Sequence, residues 1–196
     1  NTALGNGNFK NCTIKDKSGE NIGGIYENCT LKNITGNIHG TFNISNSTIN
    51  KFNVTAGGYD PSYIFTNCKL TNFDITFGYW HQGANTLFDN CNINNKDFLI
   101  KLPHYSMKEP ISITNCNFTS QDIHGMIIFY DDRTGCSAGD LVNQNMLTIK
   151  NNKIKMDNSK YVITGINKDT VNNINITFKD NTLLSSKLKL YNEECT

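Results

Sequence analysis

A six-residue phrase recurs along the chain: an apolar residue, any residue, Asn or Asp, a small polar residue or Cys, any residue, and a second apolar residue. Successive side chains of a β-strand point to opposite faces, so the two apolar positions indicate short strands with one buried face. The pattern therefore predicts pairs of short strands that meet at a corner. The eight copies are Phe9–Ile14, Tyr26–Leu31, Ile44–Ile49, Phe65–Leu70, Phe88–Ile93, Ile113–Phe118, Ile149–Ile154 and Phe178–Leu183.

The spacing of the copies is irregular. Measured between the fourth residues of successive copies, the distances are 17, 18, 21, 23, 25, 36 and 29 residues. Repeats of this length are typical of solenoids, in which insertions become loops. Further apolar runs after the phrase predict a third strand in each coil. These runs are Phe52–Thr55, Phe73–Thr76, Phe98–Lys101, Met126–Phe129 and Tyr161–Thr164.

The asparagine in the middle of the phrase is predicted to form the corner. Asn adopts the left-handed backbone conformation more readily than most residues. We expect these side chains to point inward and to bond one another from coil to coil. The residue after each Asn is expected to form a second column of small side chains, which Cys fills well.

These phrases resemble the rungs of right-handed parallel β-helices of the pectate-lyase-like superfamily, from Phe9 to about Leu184. The resemblance implies an all-β fold, a right-handed parallel β-helix solenoid of about eight coils with an asparagine corner ladder. Residues 1–184 would form the β-helix domain, a fragment of a longer solenoid, and residues 185–196 a C-terminal cap or tail. A left-handed β-helix tolerates less variation in spacing. A β-sandwich and a β-propeller remain alternatives.

Composition agrees with a β-rich chain and narrows the choice of partners. Of 196 residues, 32 are Asn, which favours turns, and only three are Pro. The net charge of +1 gives no electrostatic basis for binding nucleic acid. No apolar run approaches the ~20 residues that cross a bilayer, so no membrane insertion is predicted.

The loops after the third strand are the predicted site. Aligning the loops on Val54, Ile75, Ile100, Ile128 and Ile163 places aromatic and charged residues in columns. One column holds Tyr59, Trp80, Tyr105, Arg133 and Lys168, and its neighbour holds Gly58, Tyr79, His104, Asp132 and Asn167. Aromatic rings pack on sugar rings, and polar groups bond hydroxyls. The predicted substrate-binding residues are Tyr59, Tyr79, Trp80, His81, Tyr105 and Lys168.

Catalysis is the alternative for the same loops, as a polysaccharide lyase or a glycoside hydrolase. The candidate catalytic residues are Asp131, Asp132, His104 and Arg133. A hydrolase needs two carboxyl groups, and a lyase needs a base together with calcium or an arginine to neutralise a uronate. No metal site and no cofactor are predicted, apart from calcium for a lyase. Asp74 and Asp122 are interpreted as ordinary polar residues at strand edges.

The cysteines and the N-x-S/T sequons have structural interpretations. Five cysteines in the phrase predict buried free thiols, which favours folding in a reducing compartment before release. Cys136 and Cys195 stand apart from this column, and the sequence does not decide whether they pair. Among the sequons, Asn11, Asn28 and Asn46 are corner residues, expected to face inward and to carry no glycan.

The leading functional hypothesis is a glycan-recognising domain of a surface-exposed protein, a phage tailspike or tail-fibre component that binds host-surface polysaccharide. The resemblance implies a homotrimer, located on a virion tail or at an extracellular or cell surface. A structural adhesin stalk without a specific ligand is the third alternative.

Overall fold

The computed structural model describes residues 7–57, 62–77, 85–103, 110–121, 125–130, 145–158, 160–165, 174–185 and 187–191. These residues contain 18 parallel strands and no helix. The strands are β1 (Asn8–Lys10), β2 (Thr13–Glu27), β3 (Thr30–Ser45), β4 (Thr48–Gly57), β5 (Ser62–Thr66), β6 (Lys69–Phe77), β7 (Asn85–Asp89), β8 (Asn92–Asn95), β9 (Ile100–Pro103), β10 (Ile111–Thr114), β11 (Asn117–Ser120), β12 (Ile127–Tyr130), β13 (Asn145–Lys150), β14 (Lys153–Met156), β15 (Tyr161–Thr164), β16 (Ile174–Lys179), β17 (Thr182–Leu183) and β18 (Lys189–Tyr191).

The chain winds as a right-handed parallel β-helix, the hand that parallel crossovers almost always take. Each coil has three faces: the first precedes the corner asparagine, the second follows it, and the third comes next. The predicted rungs stack in register on the first face, as the pairs Phe9–Tyr26, Phe65–Phe88 and Ile149–Phe178 show. The second face is equally regular, with Ile14 on Leu31 and Phe118 on Ile154. The eight-rung prediction is confirmed.

Two of the three corners place residues other than glycine in the left-handed backbone conformation. At the first corner φ lies between 50° and 57° in all eight coils, at Asn11, Asn28, Asn46, Asn67, Asn90, Asn115, Asn151 and Asp180. The second corner of the first four coils repeats this conformation five residues later, at Asp16, Asn33, Lys51 and Asn72. The sequence analysis did not identify this second corner.

The first-corner asparagines point outward, so the prediction that they face inward is wrong. Asn11, Asn28 and Asn46 are all exposed. Their amides nevertheless form a ladder, since Asn67 Nδ2 donates to Asn46 Oδ1 at 3.1 Å and Asn90 Nδ2 to Asn67 Oδ1 at 2.7 Å. A left-handed residue interrupts the strict alternation of the strand, which leaves the following side chain, rather than the Asn, inside. Burial therefore does not exclude glycans at these sequons.

The following residue forms the inner column: Cys12, Cys29, Ser47, Cys68, Cys91, Cys116, Asn152 and Asn181. From Cys29 onward, each member bonds backbone groups that the corner removes from the sheet. Cys91 Sγ donates to Phe65 O at 3.4 Å, and Cys116 Sγ accepts from Cys91 N at 3.4 Å. The amide of Asn152 makes equivalent bonds: its Oδ1 accepts a hydrogen bond from Cys116 N at 2.8 Å, and its Nδ2 donates one to Ile113 O at 2.9 Å. The predicted column of small side chains is confirmed.

Stacked aromatic rings fill the middle of the first five coils. The ring centroids of Phe52 and Phe73 are 4.8 Å apart, and those of Phe65 and Phe88 are 4.7 Å apart. Both distances match the separation of neighbouring strands, because equivalent residues of successive coils stand directly above one another. This regular core fixes the positions from which the loops leave.

Candidate functional site

The third corner, where a coil passes to the first face of the next coil, is where the coils differ. In the first two coils, β2 and β3 run through this corner without interruption, helped by Gly24 (φ 117°) and Gly40 (φ 84°). In the next five coils the corner carries insertions of 4, 7, 7, 14 and 9 residues between the flanking strands. Most of the irregular spacing of the repeat arises at this corner, and a smaller part arises between the second and third faces, where residues 96–99, 121–126 and 157–160 separate the strands.

The strands that flank these insertions are in register. On the third face, Thr76 pairs with Lys101, and Phe129 pairs with Leu102. On the first face, Ser62 pairs with Asn85, and Asn145 pairs with Ile174. The five insertions therefore leave and re-enter the solenoid over stacked positions, about 4.8 Å apart between successive coils. This arrangement supplies neighbouring attachment points for one extended surface.

The side chains predicted for the site lie outside the described residues. They are Tyr59, Tyr79, Trp80, His81, His104, Tyr105, Asp131, Asp132, Arg133 and Lys168. Their relative positions and their roles stay predictions. Cys136, Cys195 and Asp122 also lie outside the described residues.

The register of the third face changes one part of the predicted column. Ile127, rather than Ile128, pairs with both Ile100 and Ile163. The alignment on Ile128 was wrong by one residue, because the run Met126–Phe129 is apolar throughout and shows no alternation. When this loop is aligned on Ile127, Asp132 takes the place of Arg133 in the alignment column of Trp80 and Tyr105.

Polar side chains line the outer surface of the third face beside the insertions. Asn53 pairs in register with Asp74, and Thr55 with Thr76. Asp74 is partly buried, lies between the inward-facing Phe73 and Ile75, and precedes the insertion at 78–84 by four residues. Amide, hydroxyl and carboxyl groups thus form a polar strip along this surface.

Asp74 is the described carboxyl group with the clearest electrostatic perturbation. Desolvation by burial, followed by repulsion from Asp97, raises its pKa from 3.8 to about 6, against the opposing effect of a hydrogen bond with Asn53. A carboxyl group of this kind can hold a proton near pH 6 and can release it there. The sequence analysis interpreted Asp74 as an ordinary polar residue at a strand edge; the available signal was an acid on a strand that leads directly into the loop containing Trp80.

A buried asparagine holds the segment that carries Asp97. Asn95 is 3% exposed, accepts a hydrogen bond from Phe73 N at 3.0 Å, and donates to Phe98 O at 3.1 Å and to Phe73 O. These bonds tie the bend after β8 to the start of the third face of the preceding coil. Asn95 therefore holds the backbone next to Asp74, through Phe73, and the backbone next to Asp97, through Phe98.

Two buried thiols of the inner column, Cys68 and Cys91, are unreactive. Hydrogen bonding with Cys91 and burial raise the pKa of Cys68, and hydrogen bonding with Cys116 raises the pKa of Cys91 to about 12. These two groups stay protonated at neutral pH and are poor nucleophiles. Within the described ranges, no group of three His, Cys, Asp or Glu residues is arranged to hold a metal ion.

No helix long and apolar enough to span a bilayer is found in the part of the chain that the structure describes. The chain matches no protein-family model, no curated protein and no solved structure. The parallel β-helix architecture therefore rests on the repeat in the sequence and on the register of the strands.

Proposed function

We propose that this chain is a glycan-recognising parallel β-helix domain of a surface-exposed protein, and that polysaccharide binds at the third corner. The observation that carries the proposal is the set of five insertions on stacked strand ends. Their sequences hold Trp80 and several of the chain's tyrosines and histidines. Aromatic faces with surrounding polar groups suit a chain of sugar rings.

The finer assignment follows from the repeat. The domain belongs with the pectate-lyase-like β-helices and serves as a phage tailspike or tail-fibre component, trimeric and exposed on a virion tail or cell surface. Its ligand is a host-surface polysaccharide. Asn, Thr and Asp side chains on the outer surface of the third face supply further hydrogen bonds to hydroxyl groups.

A glycan array followed by titration tests this function. Trp80→Ala and Tyr105→Ala are expected to weaken binding of the selected glycan at least tenfold while leaving the far-UV circular dichroism and Tm unchanged. Thr48→Ala, on the exposed second face, is the matched control and should bind as the wild type does. Equal affinity of all three variants for the glycan would contradict the site.

Glycoside hydrolysis is the second candidate function, and the raised pKa of Asp74 favours it. A protonated Asp74 would donate to the glycosidic oxygen, with Asp97 as the second carboxyl group that such a reaction requires. Calcium would be required only by the lyase alternative.

Incubation with capsular and pectic polysaccharides separates these functions. Hydrolysis yields new reducing ends that Asp74→Asn abolishes, and a lyase yields an absorbing unsaturated product. Binding without either product would leave glycan recognition as the function and would remove the catalytic role of Asp74.

A further inference from the structure

The two thiols at the start of the inner column are in direct contact. Cys12 Sγ and Cys29 Sγ are 3.2 Å apart, closer than two sulfur atoms that merely touch. Backbone hydrogen bonds clamp the chain on both sides of the pair, from Asn11 N to Glu27 O at 3.0 Å and from Thr30 N to Cys12 O at 2.9 Å. The two residues are therefore held as direct neighbours at the first corners of adjacent coils.

This geometry is compatible with a covalent bond. Neighbouring parallel strands are separated by about 4.8 Å, within the 4.4–6.8 Å range of Cα separations found in disulfides. The sulfur atoms must approach by only about 1.2 Å to reach the bonded distance of about 2.05 Å. Cys12 is partly exposed, whereas Cys68, Cys91 and Cys116 are 3% exposed or less.

We propose that Cys12 and Cys29 form an oxidisable dithiol, which a small disulfide such as oxidised glutathione converts to a disulfide between the first two coils. The Cys12 thiolate attacks one sulfur of the small disulfide and releases one thiol. The Cys29 thiolate then attacks the Cys12 sulfur of the mixed disulfide and releases the second thiol. The protein loses two electrons and two protons, and the small disulfide becomes two thiols.

The surroundings of the pair set the rate and the effect of this reaction. Burial, together with the hydrogen bond to Cys29, raises the pKa of Cys12, so exchange is slow at neutral pH and faster in alkali. Cys29 Sγ must give up its hydrogen bonds to Glu27 O at 3.3 Å and Phe9 O at 3.5 Å. The Cys12–Cys29 disulfide would link the first coil covalently to the second, in addition to the pairing of β1 with β2. This inference does not depend on the proposed glycan function.

The test is peptide mapping of the full chain after incubation with oxidised glutathione at pH 8.5 and blocking of the remaining thiols. Trypsin releases Cys12 on Asn11–Lys15 and Cys29 on Ser18–Lys32, and the expected product is these two peptides joined by one disulfide. The Tm should rise by about 5 °C and return to its starting value on reduction.

Two variants keep the result decisive. Cys12→Ser is expected to fold, because Ser47 already occupies an equivalent position, and to show neither the linked peptides nor the rise in Tm. Cys91→Ser is the matched control and should still give the linked product. Glutathione retained on Cys12 without a link to Cys29, or equal linkage between Cys91 and Cys116, would overturn the proposal.

Discussion

The first two coils and the five that follow share the same rungs but close the third corner in different ways. The first two coils have repeat lengths of 17 and 18 residues and carry no insertion at this corner. Later coils extend to 25 and 36 residues between equivalent positions. The first and second faces keep their register throughout, so most of the later residues are added at the third corner and a few are added between the second and third faces.

The two regions also differ inside the coil. The third-face position of Val54 and Ile75, both buried, is occupied by Gly36 in the second coil, which pairs with Gly19 of the first. A Cβ on Gly36 would overlap the backbone of Gly19 in the neighbouring coil, whereas the coils with insertions carry a buried side chain at the same level. The comparison teaches that successive coils meet here either by a close approach of backbone or by side-chain packing.

The largest effect is expected at Gly36 in the tight region. A Cβ on Gly36 would overlap the carbonyl oxygen of Gly19, and φ is 138°. Gly36→Ala should therefore lower the free energy of unfolding by about 3 kcal/mol or more, measured by urea denaturation. Gly19→Ala is the matched control, since its φ of 146° is similar but no atom lies within 4 Å of its Cβ. Equal losses in both variants would show that backbone strain alone, and not the close approach of the Gly19 backbone, requires glycine at position 36.

The inner column also changes along the chain: its members are Cys or Ser in the first six coils and Asn in the last two. Asn152→Ala leaves a buried N–H at Cys116 and a buried carbonyl at Ile113 unpaired, and should cost about 2–3 kcal/mol by urea denaturation. Asn152→Cys should cost about 1 kcal/mol, because a thiol serves both groups in the earlier coils. If both variants lose the same stability, the thiols and the amides are not equivalent.

A smaller, pH-dependent effect is expected at Asp74 on the third face of a loop-bearing coil. Its pKa is about 6 when folded and 3.8 otherwise, so the folded state binds the proton more tightly and loses stability as pH rises from about 4 to about 6. Asp74→Asn should be more stable than the wild type by about 1 kcal/mol at pH 7, after allowance for solvent screening. Thermal melts at several pH values should show this difference vanish near pH 4; a constant difference would contradict the raised pKa.

The smallest effects are expected at two fully buried tyrosines, one from each region. Tyr26 Oη donates to Gly23 O at the glycine corner of the tight region, at 2.8 Å. Tyr63 Oη, in the loop-bearing region, has no hydrogen-bond partner among the described residues. Tyr26→Phe should lower the free energy of unfolding by about 1 kcal/mol, whereas Tyr63→Phe should leave it unchanged or raise it by about 0.5 kcal/mol. Comparable losses in both variants, measured in the same urea titration, would mean that Tyr63 has a partner.

The coiled architecture was predictable because its signals are local. Alternation identifies the buried positions of Phe65 and Phe88, and Asn tolerates the left-handed corner at Asn67. The outward direction of Asn67 was not predictable from alternation, which the left-handed residue itself interrupts. The second corner carries the same signal at Asp16, Asn33 and Asn72, but Lys51 interrupts the series and the later coils do not repeat it, so the sequence analysis missed it.

The candidate site was predictable only as a location. The third corner stands out because most of the length variation lies there, but the insertions have no period from which contacts could be predicted. The one-residue error at Ile128 arose in an uninterrupted apolar run. Asp74 was overlooked because its raised pKa depends on burial and on Asp97 of the next coil, and neither is visible in its own strand.

The hydrogen bonds of the inner column have a direction. Cys116 N donates to Asn152, and the amide of Asn152 in turn donates to Ile113 O, so the side chain of one coil satisfies the backbone of the coil before it. Asn181 does the same for the coil of Asn152. Each new turn of a growing solenoid therefore completes the backbone hydrogen bonds of the turn before it. Its own backbone N–H stays unpaired until the next turn has formed. Folding in step with translation, from the amino-terminal end, keeps these unmet groups to one turn at a time.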